Sequence, residues 1–449
     1  MKNLTLENII RVTGGRYLGD AAMLSTEVQS IVTDSRAVAE GSLFAAIRGE
    51  KADGHDFVAA TFEKGALCAL VEHTVESAGG NQIIVDDSVA ALQRIAAFYR
   101  RQFSIPVLGI TGSVGKTTCK EMVAAVLSQR YRVHKTAGNF NNDLGVPLTL
   151  FGLNESHELA IIEMGISHPG DMQRLAEMVQ PTMAMYTIIG HAHLEFLKSR
   201  EGIAAEKTVI NDYLPENGKV FYNGDDDLLQ KMLCHQKTIS FGLGESCDVR
   251  AEQVETTAEG DTRCRIVCGE RELSVTIPAF GEHMVYAALE GAAVGIELGL
   301  TDEEIVRGIA SYEIVGHRAR RIGTEVLTVI DDCYNANPTS TASAIRSVAH
   351  GAGRAVCILG DMLELGEQSA ALHRSIGELA NSCGVALVLC TGEQSRETAA
   401  GAGERGMWFE NKRALIEALP QLLQSGDRVL VKASRSMAFE EITEALLKM

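Results

Sequence analysis

The stretch Ile105 to Thr118, IPVLGITGSVGKTT, decides how the rest of the chain is read. Its apolar run from Ile105 to Ile110 has strand character and stops at Gly112. Lys116-Thr117-Thr118 then open a segment whose apolar residues Met122, Val123, Val126 and Leu127 share one helical face. Strand, glycine turn and helix in that order make a cradle for phosphate. Gly112 and Gly115 let backbone N–H groups turn inward with no Cβ in the way, and the helix start adds the positive end of its dipole. The cradle comprises Thr111, Gly112, Ser113, Val114, Gly115, Lys116, Thr117 and Thr118. Lys116 is placed to reach the β- and γ-phosphates of a nucleotide, and the Thr117 hydroxyl to take a Mg²⁺ position. Ile110 stands where the longer P-loop pattern has its first glycine, so the shorter form T-G-S-x-G-K-T is the better description. A plain glycine turn is the alternative; the lysine, the paired threonines and the helix together favour a nucleotide.

At 449 residues the chain is long for one domain, and about 150 residues per domain gives about three. A net charge of −18 and a pI near 5.2 argue against a nucleic-acid backbone as partner, which needs a basic face. The start, MKNLTLENIIRV, has neither a basic leader nor an apolar core of signal length, and no run of ~18 apolar residues occurs. The expectation is a cytoplasmic protein with no membrane partner. Ten cysteines lie between Cys68 and Cys390 without a CxxC pair, and Cys264 and Cys268 lack a second pair to complete a zinc site. They read as reduced, mostly buried residues.

The first hundred residues read as a small α/β unit with no nucleotide loop. Thr33-Asp34-Ser35-Arg36 and Asp53-Gly54-His55-Asp56 flank a strand at Leu43 to Ile47. They are either solvated turns or, with Arg48 and Lys51, the lining of a site for a phosphate-bearing ligand. After the phosphate loop, Asn139, Asn141 and Asn142 crowd into a loop suited to face a ligand. A buried-type strand, Glu158 to Met164, then puts Glu163 near its C-terminal end. Open α/β sheets bind ligands at that edge, where a carboxylate can hold Mg²⁺. A second strand, Thr182 to Ile189, runs into His191 and His193, which can be metal ligands, general bases or loop residues. The helix expected from Ser199 to Leu214 carries Lys207 on its apolar stripe of Ile203, Ile210 and Leu214. A lysine facing inward must be paired, neutral or modified, unless its stem snorkels to the rim.

From Gly218 to Ile277 short β-like segments follow, with Asp225-Asp226-Asp227 reading as a helix start in preference to a metal site. A helix is expected from Met284 to Leu298, and a hinge near the basic knot Gly316 to Arg321. Thereafter strands at Val326 to Ile330, Ala355 to Leu359, Val385 to Cys390 and Val429 to Val431 alternate with helices. This second parallel sheet lacks G-x-G-x-x-G, which argues against a nicotinamide cofactor. Past its first strand stands the polar run Asp331-Asp332-Cys333-Tyr334-Asn335-Ala336-Asn337-Pro338.

Taken together, TGSVGKTT at 111–118, GNFNNDLGVPLTL at 138–150, IIEMGISHPGDM at 161–172, AHLEFLKSREGIAAEK at 192–207, IDDCYNANPTS at 330–340 and LGDMLELGEQS at 359–369 resemble the Mur ligases of peptidoglycan synthesis. The resemblance runs over essentially the full chain. It implies an α/β fold of three domains: a small N-terminal UDP-binding domain (1–100), a central P-loop ATPase domain with a mostly parallel sheet (101–316) and a C-terminal Rossmann-like domain (317–449). GNFNN, DDxYNANP and LGDMLELG, with no DNPR motif, resemble the member that adds D-alanyl-D-alanine to a UDP-N-acetylmuramoyl-tripeptide. The implied reaction uses ATP to make an acyl phosphate, which the dipeptide amine attacks.

Carried over by position, the resemblance makes Lys116, Glu163, His193 and Lys207 the catalytic set. Thr117 and Glu163 would hold one Mg²⁺ and His193 a second, with Lys207 carbamylated to bridge them. Arg318 and Asp332 would contact ATP phosphate and ribose, and Asn335 and Asn337 would line the closed site. Ser35, Arg36 and His55, with Asn139 and Asn142, fall on the UDP-substrate side. The family's HNxxNA reads His283-Met284-Val285-Tyr286-Ala287-Ala288, so both asparagines expected near adenine are replaced. His191 and Val209 also depart from the pattern. A monomer is expected. Other readings are a nucleotide-binding relative without ligase chemistry and a related ligase such as a folylpolyglutamate synthase; the first domain's text speaks against the latter.

Overall fold

The strand Val107–Thr111 sits inside a nine-stranded sheet, paired in parallel with Leu159–Glu163 on one side and Met183–Tyr186 on the other. All five of its residues are buried, as expected of a parallel strand covered on both faces. The computed structural model describes residues 1–49, 51–232, 237–257, 260–351 and 353–449, so Cys234 lies outside the described residues. From Val133–Lys135 at one edge to Val249–Thr256 the sheet is parallel; Thr262–Cys268 and Arg271–Ile277 close it as antiparallel strands. The helix Lys116–Leu127 packs on the helix His283–Glu297 and on Asp302–Ala310. That last approach is close: a Cβ on Gly308 would stand 2.4 Å from Val126 Cα.

Two further sheets flank this one. The first, of five strands, runs Arg16–Leu18, Gln82–Ile84, Cys68–Val71, Ser42–Ala45, Ser30–Val32, antiparallel only at the first pair. The helix Ser88–Arg100 joins it to the central sheet, and Arg100 ties the two by donating to Val179 O and Phe103 O. The third, of six strands, runs Arg320–Gly323, Leu327–Asp331, Asp427–Lys432, Ala355–Leu359, Leu387–Thr391, Gly406–Phe409. Its parallel order is broken only by the edge pair Arg320–Gly323 with Leu327–Asp331. The basic knot read as a hinge is therefore partly a strand.

Two expected spans are shorter in the structure. The helix expected to reach Leu214 ends at Thr208 and continues as a 3₁₀ segment, Val209–Tyr213. Val209 and Ile210 are stiff in a helix, and Asn211 is engaged elsewhere, accepting from the Tyr186 hydroxyl at 2.7 Å. The strand expected to reach Ile189 ends at Tyr186, because Thr187 turns its hydroxyl to Val114 O of the phosphate loop.

Candidate functional site

The C-terminal ends of Val107–Thr111 and Leu159–Glu163 are neighbours, with Ile110 in register with Glu163. Gly112 leaves the strand with φ +146°, and a Cβ there would fall 1.9 Å from Thr187 Oγ1. Only glycine fits that corner. Gly115, with φ +86°, caps the helix, and Lys116 folds back so that its Nζ donates to Gly112 O at 2.9 Å. Burial lowers the Lys116 pKa, opposed by the charge of Glu163 and assisted by that of Arg318. One helical step on, Thr117 Oγ1 lies 3.0 and 3.2 Å from the two carboxylate oxygens of Glu163. Both residues are buried. Asn141 Nδ2 donates to Glu163 Oε1 at 2.8 Å, and Thr136 Oγ1 accepts from Glu163 N. Beneath this loop Lys120, fully buried, donates to Thr136 O at 2.7 Å and pairs with Glu121.

Hydroxyl and carboxylate oxygens at a phosphate loop are the hard donors that Mg²⁺ takes, so the residues present fit that ion. Lys207 stands apart from every such partner. It is 1% exposed between Ile203 and Ile210, both at 0%, so its ammonium does not snorkel to solvent. Among the described residues that ammonium has neither a hydrogen bond nor an ion pair. Burial pushes its pKa well below the lysine range, and the charge of Lys116 pushes it further. The two lysines, one on the phosphate loop and one without a counter-charge in contact among the described residues, are thus near enough for the charge of one to act on the other.

His193 adopts a left-handed φ of 59° at the start of the short helix Leu194–Leu197. Its Nδ1 is 2.6 Å from Glu364 Oε2. The contact is close but not aligned as a hydrogen bond, so among the described residues Nδ1 is a buried polar atom without a hydrogen-bond partner. Hydrogen-bonding proximity to the His193 ring, more than charge, holds the Glu364 carboxyl below its usual range. Glu195 N donates to Glu364 O and His191 N to Thr339 Oγ1, so the central domain meets the C-terminal domain at this loop.

From that C-terminal domain, Arg318 lies 3.8 Å above the Tyr334 ring, near enough for its charge to be felt at Lys116. Asp332 accepts from Lys432 Nζ at 2.6 Å and from Ala319 N at 3.1 Å. Asn335 O also accepts from Lys432, whereas Asn337 caps the helix Pro338–Ala349 by accepting from Ser340 N. Asn337 is thereby a helix cap, and its side-chain oxygen is committed.

In the first domain Arg36 is largely exposed and clasps Asp34, pulling that carboxyl down to about 2. Ser35 presents its carbonyl to Lys64 Nζ. His55 departs from its expected place at a ligand. It is buried, with Nδ1 2.6 Å from Asp53 Oδ1 and Nε2 accepting from Glu72 N, and it stacks on His73. Both ring nitrogens are used inside the domain, because the same Asp53 that caps the turn orients the ring. In the asparagine loop, Asn139 is exposed, while Asn142 Oδ1 accepts from Gly145 N and Leu144 N. Asn141, one of three equivalent asparagines by sequence, is the one that reaches Glu163. Met284 and Ala287 are each 3% exposed and packed in the core, while Tyr286 donates to Asp225.

Family models match three stretches of the chain: Mur ligase family, catalytic domain, over residues 27–100; Mur ligase middle domain over 110–295; and Mur ligase, glutamate ligase domain, over 317–435. The UDP-N-acetylmuramoyl-tripeptide--D-alanyl-D-alanine ligase of Bacillus subtilis (strain 168) is 36% identical over 455 residues, covering 99% of this chain and 98% of its own. The chain belongs to the Mur ligase family. This Mur ligase is also similar to the crystal structure of MurF from Acinetobacter baumannii, with a TM-score of 0.93 at 30% identity over 99% of each chain. Against MurF of Thermotoga maritima in complex with ADP the TM-score is 0.85 at 28% identity, over 94% of this chain and 97% of that one. Among the described residues no helix of this Mur ligase is long and apolar enough to cross a membrane.

Proposed function

We propose that this Mur ligase joins D-alanyl-D-alanine to a UDP-N-acetylmuramoyl-tripeptide at the expense of ATP, giving the pentapeptide precursor of peptidoglycan. The observation that carries the reading is the buried Thr117–Glu163 pair beside Lys116, whose charge in turn acts on the buried Lys207. A carboxylate is a poor electrophile. Transfer of the γ-phosphoryl group to it forms an acyl phosphate and releases ADP; the dipeptide amine then attacks the acyl carbon, and phosphate leaves as the amide forms. Lys116 and the loop N–H groups neutralise and orient the phosphoryl oxygens during transfer. Thr117, Glu163 and His193 are assigned to hold Mg²⁺, which when bound would offset the charge of the two anions brought together. Arg318, close enough for its charge to act on Lys116, would meet the phosphates from the C-terminal domain, and Asp332, steadied by Lys432, would offer a carboxylate to the ribose.

Lys207 is assigned the carbamate role. A desolvated neutral amine adds CO₂ and loses a proton, which converts the misplaced cation into a carboxylate-like anion. That anion would supply oxygen ligands to the metals and relieve the repulsion from Lys116. The first domain, with Arg36 exposed, takes the UDP end, and the protein works as a cytoplasmic monomer.

Incubating the protein with the UDP-tripeptide, D-alanyl-D-alanine and ATP tests this reading. The expected result is one equivalent each of ADP, phosphate and a product heavier by the dipeptide less water. ATP hydrolysis without that product would leave a nucleotide-binding relative instead, and product formation only with another amine would point to a different ligase.

A further inference from the structure

The linker leaving the central domain brings His317 against the two residues that flank Asp332. His317 Nδ1 lies 2.6 Å from Asp331 Oδ2, and Cys333 Sγ lies 3.0 Å from Asp331 Oδ1. Nitrogen, oxygen and sulfur all fall within 4.8 Å of one another, the one such group of three among the described residues. Asp331 and Cys333 are buried at the end of the strand Leu327–Asp331, and the His317 side chain is 39% exposed. Glu440, ion-paired with Arg435 through Oε1, is near enough for its charge to act on Cys333, and among the described residues its Oε2 is buried without a hydrogen-bond partner. None of these groups has a part in the phosphate chemistry above.

We infer that His317, Asp331 and Cys333 form a binding site for a thiophilic divalent ion of the zinc class, separate from the Mg²⁺ positions. The donor set selects the ion: thiolate and imidazole favour Zn²⁺, whereas Mg²⁺ takes oxygen. Three protein ligands with an open position toward the half-exposed His317 match a tetrahedral centre completed by water. Metal–ligand bonds of about 2.0–2.3 Å put tetrahedral ligand atoms about 3.3–3.8 Å apart. The 2.6 Å contact of His317 runs to Asp331 Oδ2 and the 3.0 Å contact of Cys333 to Oδ1, so on binding the carboxylate turns to present one oxygen and the group, now within 4.8 Å, adjusts to those separations. On binding, the imidazole proton moves to Nε2 and the Cys333 thiol proton passes to solvent as the metal–sulfur bond forms; nothing is oxidised or reduced. Because His317 precedes Arg318 and the other two ligands flank Asp332, occupancy fixes the backbone of both residues proposed above to hold the nucleotide. Only this consequence, and not the site itself, rests on the proposed function.

The test uses the full-length, metal-free protein titrated with Co²⁺ in the presence of excess Mg²⁺. One equivalent is expected to give the intense visible bands of tetrahedral cobalt and a thiolate-to-cobalt charge-transfer band in the near ultraviolet, all displaced by one equivalent of Zn²⁺. Cys333→Ser should abolish the charge-transfer band. His317→Gln, at a half-exposed position that the fold tolerates, should weaken Co²⁺ binding by at least about tenfold, with thermal melting confirming that both variants are folded. An octahedral spectrum without charge transfer in the wild type overturns the site, as does a spectrum and affinity that survive either substitution unchanged.

Discussion

Thr117 Oγ1 lies within hydrogen-bond distance of both carboxylate oxygens of Glu163, at 3.0 and 3.2 Å. A hydroxyl on the first turn of a helix and a carboxylate at the end of the adjacent strand meet because Ile110 and Glu163 are in register. The two oxygen donors are of the hard kind that suits Mg²⁺, with Asn141 donating to the carboxylate.

Beside this pair Lys116 makes one hydrogen bond, to Gly112 O, and is half-buried. Lys116→Ala is expected to abolish product formation while moving the melting temperature by only a few degrees, since a single loop hydrogen bond contributes about 1 kcal/mol. Phosphate release and thermal melting, measured on the same preparation, check both halves. Turnover near the wild-type rate would place the phosphate site elsewhere.

Lys207 sits at 1% exposure with no counter-charge in contact among the described residues. Lys207→Ala and Lys207→Arg are both expected to be nearly inactive, because neither forms a carbamate and arginine keeps a positive charge. Wild-type enzyme stripped of CO₂ at mildly acidic pH and assayed promptly in CO₂-free buffer should start slowly and recover with bicarbonate. An active Lys207→Arg variant, with full wild-type rates throughout, contradicts the modification.

The inward turn of Lys207 is legible in the amino-acid sequence, because helical periodicity places it with Ile203 and Ile210 whatever packs against them. Glu163 is legible too, as an acid at the end of an apolar run. Asn141 is not: a loop has no period, and nothing in the residue order distinguishes it from Asn139 and Asn142. Lys120 reads as an ordinary helix lysine, because its carbonyl partners Thr136 and Gly138 come from a segment that only the sheet brings near. A polar turn such as that around His55 suits a ligand and a cap equally well, and the sequence does not show that its ring meets Asp53 and Glu72 within the domain. The His193–Glu364 contact joins two domains and leaves no local trace.

A buried acid provides a stability test. Glu290, on the helix His283–Glu297, is 4% exposed, and burial raises its pKa to about 8, with Cys119 as its hydrogen-bond partner. Below the ordinary glutamate range both folded and unfolded states hold the proton. As pH rises from there toward 8 the unfolded chain ionises first, so stability falls, by up to about 5 kcal/mol in total. Glu290→Gln removes the titration and should flatten the decline in melting temperature between pH 5 and about 8. Parallel wild-type and variant curves would show that Glu290 does not carry it.

Nucleotide choice follows from Met284 and Ala287, which are packed in the core at positions where the family pattern has asparagine. A base is discriminated mainly by hydrogen bonds left unmade. GTP is therefore expected to support ligation with a kcat/KM above about one ten-thousandth of that for ATP. A lower ratio would show that other groups read the base.

The phosphorylated carboxylate is the step on which the roles proposed for Lys116, Thr117, Glu163 and Lys207 converge, and oxygen transfer tests it most directly. UDP-N-acetylmuramoyl-tripeptide labelled with ¹⁸O in its terminal carboxylate is converted with ATP and D-alanyl-D-alanine, and the released phosphate is analysed by mass. One ¹⁸O atom per phosphate is the expected result, since the bond made to phosphorus carries a substrate oxygen away. Phosphate free of label, in a reaction that still forms the amide, would contradict activation through an acyl phosphate.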